Sequence, residues 1–136
     1  MSKPFHCSIV TPSESLFNGE VTYASVPAWD GQFGVMDSQS PLLTRLGTGT
    51  LRIDTADGER SWYMVDGGFA QIADNTLTLL TEMATISSDL SAEEADAELA
   101  EAAARVAQSG QDLERVQRDQ QRAYAKRQTI REASAS

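Results

Sequence analysis

The sequence is poor in the residues that carry out chemistry. Of its 136 residues one is a cysteine, Cys7, and one a histidine, His6. A single thiol allows no internal disulfide and no cysteine-based metal site. A single imidazole supplies zinc coordination or a Ser–His–Asp relay poorly. The pair His6-Cys7 raises the idea of a reactive thiol; the plainer reading is a strand residue beside a buried cysteine. No apolar run approaches the ~20 residues that a membrane-spanning helix needs. The opening MSKPFHCSIV has neither a signal-peptide core nor an Arg-rich amphipathic presequence. The expectation is a chain that stays where it is made, on the cytosolic side of a bacterium, although a plastid-encoded chain would look the same. Basic residues are scarce: 11 Lys and Arg stand against 20 Asp and Glu, for a net charge of −9. That balance disfavours nucleic acid or an anionic membrane surface as partner. Carboxylates are plentiful, but Asp30, Asp37, Asp54 and Asp57 fall on expected turns, where Asp is favoured for backbone reasons. No cluster of titratable groups poised for an enzyme reaction is visible.

What is present divides into two halves with different periods. Residues 1–88 read as β. FHCSIVT places Phe5, Cys7 and Ile9 on one face, and EVTYASVPA, TLRIDT, RSWYMVD, GGFAQIA and NTLTLLTE follow. Alternation is clear at Leu51/Ile53, Trp62/Met64 and Leu77/Leu79. Turn signals recur at Asn18-Gly19, Asp30-Gly31, Asp57-Gly58, Gly67-Gly68 and Asp74-Asn75. Short strands at this spacing predict an antiparallel sandwich or barrel. Asp57-Gly58 predicts a two-residue hairpin, and Gly67-Gly68 a sharp bend or close backbone approach.

Residues 89–136 read as a helical hairpin. Ser91 and Glu94 have the form of a capping box. Ala92, Ala95, Leu99, Ala102 and Val106 make a narrow first seam, and Ser109-Gly110 is the expected break. The second helix is expected from about Gln111 to Glu132, with its seam at Leu113, Val116, Gln120, Ala123, Arg127 and Ile130. An alanine methyl contributes roughly 0.8 kcal/mol on burial against about 1.5–3 for leucine or isoleucine, so the hairpin is expected to be held loosely. Charge is divided as well. Residues 91–108 carry five acids and one base, and residues 111–132 six bases and four acids. The basic helix is either a solvated face or an element that detaches and binds an acidic partner.

One segment fits neither pattern. WDGQFGVMDSQSPLL, residues 29–43, is rich in turn residues yet carries Trp29, Phe33, Val35, Met36, Leu42 and Leu43. Such a segment is either buried or a docking surface. Together with VTPSESLFNGEV, VPAWDGQFGVM, PLLTRLGTGTLRI and VDGGFAQIADNTLTLL, in this order and spacing, it closely resembles the epsilon subunit of the rotary F-type ATP synthase, called delta in mitochondria. The resemblance covers nearly the whole chain. It implies a non-catalytic central-stalk subunit of a proton-translocating enzyme, with no cofactor or metal of its own and monomeric in isolation. It also implies a peripheral place on the cytoplasmic face of the bacterial inner membrane, reached through the complex. The sandwich would bind the gamma subunit and rest on the c-ring. Trp29, Asp30, Gln32, Phe33, Met36 and Gln39 are then the candidate interface residues. The hairpin would fold against the sandwich or extend toward the catalytic alpha/beta hexamer and inhibit ATP hydrolysis. Arg115, Arg118, Arg122 and Lys126, one stripe of the second helix, are the candidate inhibitory contacts.

The chain departs from the family at informative places. Gln32 stands where an acid is usual in Gly-Glu-Phe-Gly, and Gln39 where a histidine is usual. Some bacterial members bind ATP through a Leu-Asp-x-x-Arg-Ala pattern; the matching residues here are Leu90, Ser91, Glu94 and Ala95, so no ATP site is expected. The competing reading from a different class is a stand-alone β-sandwich binding module whose helical tail oligomerises.

Overall fold

The computed structural model describes residues 3–105 and 110–135. Its strands are β1 (Phe5–Val10), β2 (Ser15–Ala28), β3 (Gly31–Val35), β4 (Leu42–Arg45), β5 (Thr48–Thr55), β6 (Arg60–Asp66), β7 (Phe69–Ala73), β8 (Thr76–Leu80) and β9 (Met83–Ile86). Two helices follow, α1 (Ala92–Ala104) and α2 (Gly110–Ala135). The hydrogen-bonded order is β4-β7-β8-β1-β2-β5-β6-β9, with β3 added to β2. Strand β2 serves both layers of a sandwich. Its residues 15–21 pair with β1, and its residues 24–28 pair with β3. Its pairing with β5 slips between Val21 and Tyr23, and a bulge of that kind bends a strand and strengthens its twist.

The core forms between the layers from one face of each strand. Phe5, Cys7 and Ile9 of β1 meet Leu51 and Ile53 of β5, Tyr63 and Val65 of β6, Ile72 of β7, and Leu77 and Leu79 of β8. Each fully buried Ile or Leu contributes roughly 1.5–3 kcal/mol. Burial pushes the Cys7 thiol up to about 12, so the plainer of its two readings holds. No described helix residue belongs to this cluster.

Several local expectations are corrected. Asn18-Gly19 is not a turn: both residues lie inside β2, paired with Ser8 and Cys7. The Phe17 ring covers the missing side chain, since a Cβ at Gly19 would stand 3.3 Å from it. The hairpin at Asp57-Gly58 exists but spans Ala56 to Glu59, because Thr55 N–H donates to the Glu59 carbonyl and closes a wider loop. Trp62 and Met64 do not face the core; Tyr63 and Val65 do. The segment 29–43 contains β3 and the start of β4, which carry no clean alternation. Strand β9 likewise carries no clean alternation, with Met83 exposed and Ala84, Thr85 and Ile86 half-buried.

The helical hairpin forms as expected, and its interior explains its small residues. Ser91 Oγ accepts the Glu94 N–H at 3.2 Å and caps α1. Ala95 and Ala102 of α1 are buried, as are Val116 and Ala123 of α2. Four seam positions differ from expectation: Ala92 and Leu113 are exposed, Gln120 donates to the Ala102 carbonyl, and Arg127 pairs with Asp96. Val106 and Ser109 lie outside the described residues. A second buried face of α2, Ala125 and Thr129, rests on β5 and β6.

Candidate functional site

The apolar residues of the sandwich that stay in water concentrate on one region. Strand β4 places Leu43 and Arg45 on the same side, and antiparallel pairing sets Arg45 opposite Phe69 and Phe69 opposite Leu80. The β2–β3 turn brings Trp29 alongside, held by its N–H donating to the Arg45 carbonyl at 3.0 Å. Trp29 is 64% exposed, Leu43 66%, Phe69 49% and Leu80 52%. Trp29, Leu43, Thr44, Arg45 and Phe69 line a shallow hollow of roughly 380 Å³. An apolar cluster this open on a folded sandwich is a candidate docking surface.

The six candidate interface residues do not form one patch. Trp29 and Asp30 sit at one end of β3, and Met36 and Gln39 lie beyond the other, about 17 Å of strand away. Phe33, half-buried, packs against the core. The amide of Gln32 donates to Ser25 Oγ at 3.0 Å and to the Thr50 carbonyl at 2.7 Å. It lines a groove shared with Tyr124 and Gln128 of α2, on the side of the helices.

At the far end a polar clamp holds the β3–β4 loop. Ser38 N–H donates to Asn75 Oδ1 at 2.9 Å, and Asn75 Nδ2 donates to Asp37 Oδ1 at 2.8 Å. The Asn75 amide and the Ser38 hydroxyl lower the Asp37 carboxyl below the ordinary aspartate value. Met36 N–H donates to Gln39 Oε1 at 3.3 Å. Met36, 56% exposed, is thereby presented on a braced loop. The turn that supplies Asn75 was legible in the sequence; its grip on Asp37 and Ser38, 38 and 37 residues away, was not.

The basic stripe is divided in the folded hairpin. Arg115 and Arg118 are exposed. The Arg122 guanidinium is paired with Asp66 of β6, and Lys126 Nζ lies 3.0 Å from Glu98 of α1. With Arg127–Asp96 and Arg105–Asp119 at 2.7 Å, the acidic helix and the basic helix face each other. The charge division read in the sequence is thus used first inside the chain. Among the described residues no group of three or more His, Cys, Asp or Glu is placed to hold a metal ion. Asp54, the most engaged carboxylate, is taken by Arg52 at 2.9 Å and Arg60 at 3.1 Å.

Comparison with known proteins agrees with this architecture. The family model described as ATP synthase, Delta/Epsilon chain, beta-sandwich domain matches residues 4–87. An ATP synthase epsilon chain of Delftia acidovorans is 37% identical over 65% of this chain and 64% of its own length. That of Nitratidesulfovibrio vulgaris is 37% identical over 68% and 69%, and that of Hyphomonas neptunium 38% identical over 69% and 70%. The chain therefore spans just under two thirds of the first of these relatives and slightly more of the other two. Among solved structures, a chain of the Euglena gracilis mitochondrial ATP synthase, OSCP/F1/c-ring in rotational state 1, superposes with a TM-score of 0.83 at 18% identity. That match covers 98% of this chain and 82% of the other. A chain of the Tetrahymena thermophila mitochondrial ATP synthase central stalk/c-ring gives 0.69 at 12% identity over 95% and 98%. With the sandwich matched almost from end to end and the two helices following it, the chain belongs to the ATP synthase delta/epsilon chain family.

Proposed function

We propose that this chain is a non-catalytic central-stalk subunit of a rotary F-type ATP synthase, working by gripping its neighbours. Residues 1–88 form the unit that grips gamma and the c-ring, and residues 89–136 form a regulatory hairpin. The observation that carries this reading is the open apolar cluster Trp29, Leu43 and Phe69 on a sandwich of the family. Such a surface joins subunits and transforms no molecule. The braced loop with Met36 and Gln39 is a second, smaller contact at the opposite end of β3. Rotation of the c-ring passes through the sandwich to gamma, and all bond chemistry occurs on other chains. The subunit sits peripherally on the cytoplasmic face of the bacterial inner membrane, held there by the complex. No described helix is long and apolar enough to cross a membrane. Both buried faces of α2 are occupied within the chain, by α1 and by the sheet, so no observation favours an oligomerising tail.

The test is binding of the full chain to gamma and c-ring complexes. Trp29→Ala combined with Phe69→Ala is expected to weaken binding about a hundredfold, as loss of aromatic anchors does at interface centres. Unchanged affinity would remove the assignment of this surface. The hairpin is tested separately, in ATP synthase rebuilt with the full chain or with a chain ending at Asp89. Faster ATP hydrolysis with the shorter chain supports an inhibitory arm, and equal rates refute it.

A further inference from the structure

The face of the sandwich under α2 is built unlike its core. Tyr63 and Val65 of β6 point inward, so Trp62, Met64 and Asp66 point outward, toward the helices. On β5 the matching outward residues are Thr48, Thr50 and Arg52, with Thr50 opposite Met64 in register. Met64 is 0% exposed although it stands outside the core cluster. Among the described residues, α2 makes the main contacts on this face, with the short turn Ser87–Asp89 beside it, so the docked hairpin is what hides it. From α2 the buried contributors are small, Ala125 and Thr129. Thr129 donates to the Ala125 carbonyl at 2.8 Å, which leaves its oxygen to accept from Thr50, 2.9 Å away. At the end of β6, Asp66 spends one carboxylate oxygen on the Thr48 hydroxyl at 2.6 Å and the other on Arg122. Apart from this pair, the buried contributors are one methionine, two threonines and an alanine, with Glu132 of α2 adding its charge near Arg52.

We propose that the Arg122–Asp66 pair is the latch that keeps the hairpin down, and that it withholds Arg122 from any outside partner while closed. Lys126 is engaged by Glu98 of α1, within the hairpin itself and not by the sandwich, so two of the four stripe cations are already occupied in the docked form. An acidic surface elsewhere competes with Asp66 for the same guanidinium, and the sandwich acts as a built-in decoy for the arm. The second statement rests on the inhibitory reading of the hairpin; the latch does not.

Met64 supplies a readout that needs no partner. In the isolated full-length chain, its oxidation by dilute peroxide, followed by mass spectrometry, tracks the undocked fraction. Met36, already exposed, is the internal reference. Asp66→Asn and Arg122→Gln are each expected to raise Met64 oxidation about fivefold relative to Met36, the upper end for a partly exposed ion pair. The double variant adds nothing further. Added salt raises the wild-type rate and leaves the variants unchanged. Arg122 lies on the helix, so its variant acts without altering the sandwich. Wild-type oxidation in Arg122→Gln, or independent addition of the two effects, overturns the latch. In rebuilt ATP synthase, Asp66→Asn is expected to slow ATP hydrolysis several-fold. If removal of residues 90–136 speeds hydrolysis but Asp66→Asn leaves it unchanged, the withholding role fails. If removal itself has no effect, the inhibitory reading fails and the latch stands on the Met64 result.

Discussion

Gly68 shows how little freedom single positions have in this sandwich. Its φ is +103°, and a Cβ there would stand 2.0 Å from the Leu80 carbonyl oxygen and 2.7 Å from Thr81 Cα. Both obstacles are backbone and do not rotate away. Gly68→Ala is expected to cost about 2–4 kcal/mol in urea unfolding, far above an exposed glycine replacement. The close approach was anticipated from the Gly-Gly pair, because only glycine tolerates such a place. Asp54 offers a residue-level prediction of another kind. Hydrogen bonding from Arg52 foremost, with Arg60 adding its charge, lowers its carboxyl below the ordinary value. A lowered folded pKa means that the unfolded chain takes up the proton first as pH falls. The contribution is complete above the unfolded value of about 3.9 and is lost as pH drops through the folded one. Asp54→Asn is therefore expected to be less stable than wild type near neutrality, with the gap closing below about pH 4 in denaturation series. The sequence places Asp54 on a turn, but it lies inside β5, two residues from Arg52 and opposite Arg60 in the register, and that cross-strand pairing is not legible from the chain alone.

At the scale of elements, legibility followed side-chain size and burial. Strands β1, β5 and β8 were readable because large apolar residues alternate on them and their partners cover one face. Strands β3, β4 and β9 were not. Leu42, Leu43 and Met83 are exposed, so the alternation that marks a half-buried strand is missing where a strand leaves its apolar residues in water. The same property that hid these strands marks them as surface. Helix α2 failed differently. Its sheet-facing side buries only Ala125 and Thr129, beside Arg122, a set with no apolar periodic signal, and the seam toward α1 admits Gln120 and Arg127 because each finds a polar partner across the gap. A chain ending at Asp89 should therefore keep its sandwich, since no described helix residue enters the core. It is expected to unfold cooperatively within a few degrees of the full chain, with Met64 now oxidised as fast as Met36. A sandwich that melts out on removal of the hairpin would show that the outer face depends on α2.

For the whole molecule, the grooves beside α2 raise the question of a small ligand. One, of roughly 870 Å³, is lined by Trp29, Arg45, Leu99, Gln120 and Tyr124 among others. The first turn of α1 offers a phosphate no cation: Ser91 is used as the cap and Glu94 carries the wrong sign. Calorimetric titration of the isolated protein with millimolar MgATP is expected to give no saturable heat, and clear saturation would refute this. The long second strand bears on mechanics instead. Because β2 is laced into both layers, neither layer can slide over the other without shearing a row of ladder bonds at once. A twisting load applied at the braced loop thus reaches the apolar cluster through a strut, with almost no slack to absorb it.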